Sequence, residues 1–444
     1  MPTPDDGGPA SGPATLGRAR FALGAFLAAY ILSFVDRQIL SLMVEPVRRD
    51  LGISDLQMGL LQGLAFAMLY AFIGIPIGLL ADRVSRKRII TAGVLVWSAC
   101  TALCGMAGSF AHLFLARMGV GVGEAALSPA AHSSLSDAFP PERLARAMSI
   151  YTLGITLGSG AALLIGGSVV NAIASSGDLH LPLVGQVRAW QAAFIAVSLP
   201  GLLVALLVTL TSEPPRRHRS ARHRPGLGPL LAYLRRERRA FAAIYGNSTV
   251  LSIMGYGLPA WYPTLLIRRF GLSAGEAAGY LGLAYLICGS AGALAAGWMA
   301  DRMAGRGRAD ANLRLIAIIS FAGIVPATLA PLMPSPLLVM ALFVPFCFLF
   351  NGYFGCSIAA IQLATPNELR GTNAALFLLA NSLIGLSVGT ALVPLLDRWF
   401  FGGHGQIGPS LAIVALLCST IAGLLARSGL RQYGLAVAAV GARQ

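Results

Sequence analysis

The sequence predicts an all-α membrane protein, twelve transmembrane helices arranged as two six-helix halves, and three observations carry that reading. The first is composition: of 444 residues 56% are hydrophobic and only 11% charged, with a mean hydropathy of +0.71. Soluble domains carry about 25% charged residues, so this balance argues against a water-soluble enzyme. The second is a series of twelve apolar stretches, six on each side of a polar break. The third is the placement of basic residues, which fall mainly on one side of those stretches.

In chain order, residues 1–17 are rich in Pro and Gly and carry Asp5 and Asp6 in place of a basic leader, so they are expected to be disordered. Residues 18–211 form the amino-terminal bundle, with apolar runs at 20–43, 55–80, 89–109, 112–136, 146–173 and 189–211. Residues 212–240 are an Arg-dense linker. The carboxyl-terminal bundle, 241–428, has runs at 241–267, 276–300, 312–331, 336–364, 371–396 and 409–427, and 429–444 is a tail. At 1.5 Å per residue each run is about long enough to cross a hydrocarbon core of roughly 30 Å. Gly74-Ile75-Pro76, Gly154, Gly158 and Pro259 sit inside these runs, as membrane helices tolerate. None of the runs shows the alternation of a membrane β-barrel.

An even number of spans places both termini on one side. That side holds 25 of the 33 Arg and Lys residues, including nine arginines between 216 and 239, whereas the opposite loops hold 6. The bias assigns both termini and the linker to the cytoplasm and the chain to a cell membrane. A composition rich in Ala and Arg, with a single Lys, points to a GC-rich bacterial genome and hence an inner membrane. The net charge of +15 is thereby an orientation signal, and no nucleic-acid partner is expected. Gly119-x-Gly121-x-Gly123 has neither the strand nor the Lys-Ser/Thr of a nucleotide loop. The cysteines at 100, 104, 288, 347, 356 and 418 lie in apolar runs without metal or redox spacing. No metal, cofactor or catalytic constellation is expected, and the chain is expected to act as a monomer.

The halves repeat. Gly78-Leu-Leu-Ala-Asp82-Arg83-Val-Ser-Arg86-Lys-Arg88 follows the second run, and Gly297-Trp-Met-Ala-Asp301-Arg302 follows the eighth at a constant offset of 219 residues. Such six-helix parallel repeats mark transporters with a midplane site. The first copy resembles the signature loop of the major facilitator superfamily, G-x-x-x-D-R-x-G-R-[RK]-[RK], departing at Ser85 where the family usually has Gly. Arg117-Met-Gly119-Val-Gly121-Val-Gly123-Glu124 is similar to a second family motif. Asp36-Arg37, the Gly-Glu of the fourth run with Ser128-Pro129, and Trp261-Tyr-Pro263…Arg268-Arg269 resemble the spinster group of lipid transporters. The resemblance implies the major facilitator fold and proton-coupled movement of a lysophospholipid or sphingoid lipid. It also implies a latching role for Gly78, Asp82, Arg83, Arg86, Asp301 and Arg302. The antiporter motif is incomplete in the fifth run, so symport and antiport stay open.

Four ionisable residues lie inside the apolar runs: Asp36, Arg37, Arg117 and Glu124. A charge at the bilayer centre costs about 2.5–3.5 kcal/mol on permissive scales, so these groups are expected to face partners or a water-filled cavity. Asp36 sits about seven residues from the end of its run, at a depth between Arg117 and Glu124. Arg117 and Glu124, two turns apart, share a face on which Gly121 leaves room for a neighbour. The expected proton-coupling set is Asp36, Arg117 and Glu124, with Arg117 exchanging between the carboxylates; the alternative is a static ion network. Arg37 is a candidate for a lipid phosphate, against an ion pair with Asp36 or another acid. His132 is more simply a hydrogen-bonded helix residue than a proton relay. In the second half the runs hold aromatic residues in place of charges, and the family resemblance implies that the seventh and tenth runs line the cavity, so that Tyr256, Phe350, Asn351, Tyr353 and Phe354 would form an apolar wall, against ordinary packing. A proton-coupled carrier of small organic anions, with Arg37 and Arg117 as carboxylate clamps, and an uncoupled lipid facilitator are the alternative functions.

Overall fold

A computed structural model describes residues 13–81, 83–176, 179–181, 185–215 and 227–442. Twelve helices among them are long and apolar enough to cross a membrane. They are, in order, Leu16–Leu42, Asp55–Gly78, Arg86–Cys104, Phe110–Ala138, Arg146–Ile173, Ala189–Thr209, Arg238–Phe270, Ala274–Ala304, Ala311–Leu332, Pro336–Leu363, Arg370–Phe400 and Ile407–Gly441. They are called the first to twelfth spans below. The end carrying the two termini is called the arginine-rich end and the opposite one the far end.

Serines start five of these spans for one physical reason. The first turn of a helix leaves backbone N–H groups without partners, and a hydroxyl one residue before it can accept from one. Ser54, Ser85, Ser109, Ser273 and Ser335 each do so, and Ser54 and Ser273 complete a reciprocal box with Gln57 and Glu276. Gly271, with φ of 68°, ends the seventh span in a left-handed turn that a side chain would strain. The β structure among the described residues is one antiparallel pair, Leu179–Leu181 with Gly185–Val187, in the loop after the fifth span.

Several boundaries differ from expectation. The first helix begins at Pro13, inside the segment read as disordered, because Pro fits a first helical turn; residues 1–12 lie outside the described residues. Within the linker, Leu227–Arg236 is a helix, whereas residues 216–226 lie outside the described residues. The last helix runs unbroken to Gly441, through the segment read as a tail. Its Tyr433, Ala436 and Val440 are buried, and Gly429 lies against Ala243 and Leu313 of the seventh and ninth spans.

Five spans are interrupted along their length. The second breaks at Gly63, the fourth at Ala125-Ala126 directly after Glu124, and the sixth before Pro200. The eighth has a π-helical turn at Ala284–Gly289, and the tenth breaks at Asn351-Gly352. The halves meet through the second span against the eleventh and the fifth against the eighth. Glycines permit this. A methyl at Gly63 would stand 2.1 Å from the Thr390 hydroxyl and 2.2 Å from the Leu386 carbonyl oxygen, and Gly160 abuts the Gly282 carbonyl. Thr390 donates a 2.7 Å hydrogen bond to the Gly59 carbonyl. At the far end, Arg268 of the seventh span makes two 2.7 Å bonds to Asp55 and a further one to Glu45, both of the first half. The far end is therefore closed by close backbone packing and an ion cluster together.

Candidate functional site

The intramembrane charges come together, but not in the expected pairing. Arg37 of the first span donates to Glu124 of the fourth, at 2.7 Å from Nε and 2.5 Å from Nη2. Its guanidinium also lies 4.6 Å from the ring centre of Phe66 and 5.2 and 5.3 Å from those of Tyr70 and Phe34. A cation among aromatic faces gains from their quadrupoles, most where water is excluded. Glu124 has no accessible side-chain surface, whereas Arg37 keeps 18% of its own, so the pair is a buried acid behind a partly open cation.

Arg117 is fully buried and forms no ion pair among the described residues; it donates to the Asp36 carbonyl at 3.1 Å and the Leu61 carbonyl at 3.4 Å. The expected Arg117 exchange between carboxylates is thus not the arrangement in this conformation, in which Arg37 holds Glu124. The cause is packing: Gly121 lies against the backbone of Phe66 and Tyr70, and Gly123 against Trp97 and Gly93. These contacts set the rotation of the fourth span and turn Arg117 towards the backbone of the first and second. Asp36 is buried among Glu124, Arg117, Thr101 and Arg37, and it forms no ion pair with either arginine among the described residues. A carboxylate buried without an ion pair is costly, which marks Asp36 as a position of functional constraint.

The aromatic residues divide. Tyr256 of the seventh span belongs to the electrostatic surroundings of Arg37 and of Tyr30, across the boundary between the halves. Phe350 and Tyr353 both face Gly255, the residue beside it, and their rings lie 4.7 Å apart. Phe354 meets Tyr353 edge-on at 6.1 Å. Asn351 turns away: its amide donates to the Cys347 carbonyl of its own helix at 2.8 Å and sits beside Gly289 in the π turn. The break at Asn351-Gly352 rotates it off the aromatic face, so its expected place in the wall is not seen.

Tyr30, Phe34, Phe66, Tyr70 and Tyr151 complete the cluster and were not singled out from the sequence. Tyr30 stacks on Tyr151 at 4.9 Å, and His132 meets Tyr151 edge-on at 5.2 Å. The signal that could have found them is spacing: Tyr30, Phe34 and Arg37 lie on one face of a helix, as do Phe66 and Tyr70.

Of the latching residues, Asp82 lies outside the described residues. Gly78 faces Pro129 of the fourth span, and Arg83 is exposed. Arg86 is buried and binds Asp137 at 2.5 Å and the Ser133 carbonyl at 2.9 Å, while its backbone N–H donates to Glu213 at 2.8 Å. It ties the third and fourth spans to the segment just after the sixth at the arginine-rich end. Asp301 and Arg302 of the second copy are exposed, with Arg302 over the Trp298 ring at 5.5 Å. Arg302 is thus exposed like Arg83, its match in the first copy, whereas the position matching Arg86 is Gly305, so the buried arginine has no counterpart in the second half. Arg86→Ala is expected to destabilise the protein by about 3 kcal/mol, the low end for a broken buried pair because both acids keep some solvent access. A melting curve in detergent, with Arg86→Lys recovering part of the loss, checks it.

Residues 26–390 match the Major Facilitator Superfamily. An MFS-type efflux pump of Mycolicibacterium smegmatis is 31% identical over 86% of this chain and 85% of its own length. A probable L-galactonate transporter of Escherichia coli is 26% identical over 74% of this chain and 72% of its own. Among solved structures, a bacterial homologue of the human lysosomal transporter spinster, inward-facing and unoccupied, superposes with a TM-score of 0.77. It is 26% identical, covering 98% of this chain and 99% of that one.

Proposed function

The chain belongs to the Major Facilitator Superfamily, and from that premise we propose that it is a proton-coupled transporter of an amphipathic lipid, a lysophospholipid or sphingoid-type lipid, working by alternating access. One observation carries the reading. Arg37, paired with buried Glu124 yet partly open, has Tyr256 of the other half among its surroundings, and Phe350 and Tyr353 lie at Gly255 beside that tyrosine. A phosphate head could pair with the open guanidinium while an acyl chain lies against the rings. The closed far end supports an inward-facing state if the arginine-rich end is cytoplasmic, the state named for the spinster homologue. Proton coupling would use the same groups. A proton on Glu124 releases Arg37 to an anionic head, and Asp36, buried beside Arg117 without an ion pair, is the second acceptor. Arg83, Arg86, Asp301 and Arg302, with Gly78 and Asp82, would latch the arginine-rich end in the opposite state.

The L-galactonate relative favours a second reading, a small organic acid clamped by Arg37. Binding of lysophosphatidylcholine, sphingosine 1-phosphate and sugar acids to purified protein separates the two. The lipid reading expects the amphiphiles to bind and Tyr256→Ala or Tyr353→Ala to weaken them about tenfold, the value of one aromatic contact. Binding of sugar acids alone would establish the other.

A further inference from the structure

Beyond the central site, the junction of the linker helix and the seventh span carries a second feature. A recess of about 200 Å³ opens there at the arginine-rich end, lined by Arg236, Glu237, Arg238, Arg239, Ala240 and Gln432. All three arginines are exposed. Arg236 has Glu237 at 3.6 Å, and Arg238 and Arg239 have no acidic partner among the described residues. Gln432 also lines the recess, and its side-chain amide carries N–H groups of the kind that donate to an anion.

The helix beside the recess, Leu227–Arg236, is amphipathic in an uncommon sense. Its inner side is anchored by fully buried Leu230 and by Tyr233, which donates to the Ala364 carbonyl at 2.8 Å and meets Phe241 edge-on. Its outer side shows Leu227 at 58% and Leu231 at 45% exposure, followed one turn later by exposed Arg235. Leucines at a four-residue spacing leading to arginines, at the point where a membrane span begins, match an amphiphile lying tail against leucine and head against arginine.

We propose that this recess binds the phosphate head of an anionic membrane phospholipid, with its acyl chains against Leu227 and Leu231. The anchored helix is thereby fixed to the leaflet on the arginine-rich side. The chemistry is charge complementarity at an interface, where each arginine adds attraction for an anionic head.

Native mass spectrometry of the full-length protein, with phosphatidylglycerol and phosphatidylcholine in competition, tests this. Phosphatidylglycerol is expected to be retained in preference, and R238Q/R239Q to weaken it about thirtyfold without changing melting in phosphatidylcholine micelles. Leu227→Ser with Leu231→Ser is expected to weaken it independently, which keeps the test open if the arginine variant fails to fold. Free glycerol 3-phosphate is expected not to compete. Equal retention of the two lipids, indifference to both variants, or equal competition by glycerol phosphate would each overturn the proposal.

Discussion

Glu124→Gln is expected to abolish proton-driven transport in proteoliposomes while leaving the protein folded. Gln keeps the volume of the side chain and can still accept a hydrogen bond from Arg37, so the packing of Gly121 and Gly123 on the second and third spans is undisturbed. It cannot take up a proton or balance the Arg37 charge. Glu124→Ala should be worse, since it leaves a largely buried guanidinium without a counter-ion, at a cost of about 3–5 kcal/mol. The measurement is substrate flux with and without an imposed pH gradient. A Glu124→Gln protein whose flux still follows the gradient would remove Glu124 from the coupling. If Asp36→Asn then lost the dependence, coupling would lie on the unpaired carboxylate.

The second large effect lies at the contact between the halves. Gly63→Val is expected to open the far end, because the added carbons meet the Thr390 side chain and the backbone carbonyl of Leu386. A flexible side chain could move aside, but a helix backbone cannot. The cost against the closed state is therefore set at about 3 kcal/mol, the upper part of the usual overpacking range. Spin labels at Arg49 and Arg398, exposed far-end positions of the two halves, should report a longer distance in the variant. An unchanged distance distribution would show that the Gly63 contact does not govern closure.

Much of this protein was legible in one dimension. Apolar runs count spans because each backbone polar group in hydrocarbon must be satisfied within its own helix, so membrane helices are long and uniformly apolar. The repeated Asp-Arg loop revealed two related halves, and the rarity of charge in such runs singled out Asp36, Arg37, Arg117 and Glu124. Depth along each helix was readable too, and it placed Asp36 between Arg117 and Glu124.

Rotation about each helix axis was not readable. Whether Arg37 or Arg117 holds Glu124 depends on which face of the fourth span meets the first, and that is set by the Gly121 and Gly123 contacts with neighbouring backbones. The same holds for Asn351, turned from the aromatic wall by the break in its helix, and for Arg83 and Arg86, three residues apart in one basic loop but one exposed and one buried. The sequence by itself determined how many helices there are, what crosses the membrane and which charges lie within it, since these follow from local hydrophobicity. Only the tertiary structure decided which charges pair and which end is closed, because those outcomes depend on contacts between residues far apart in the chain.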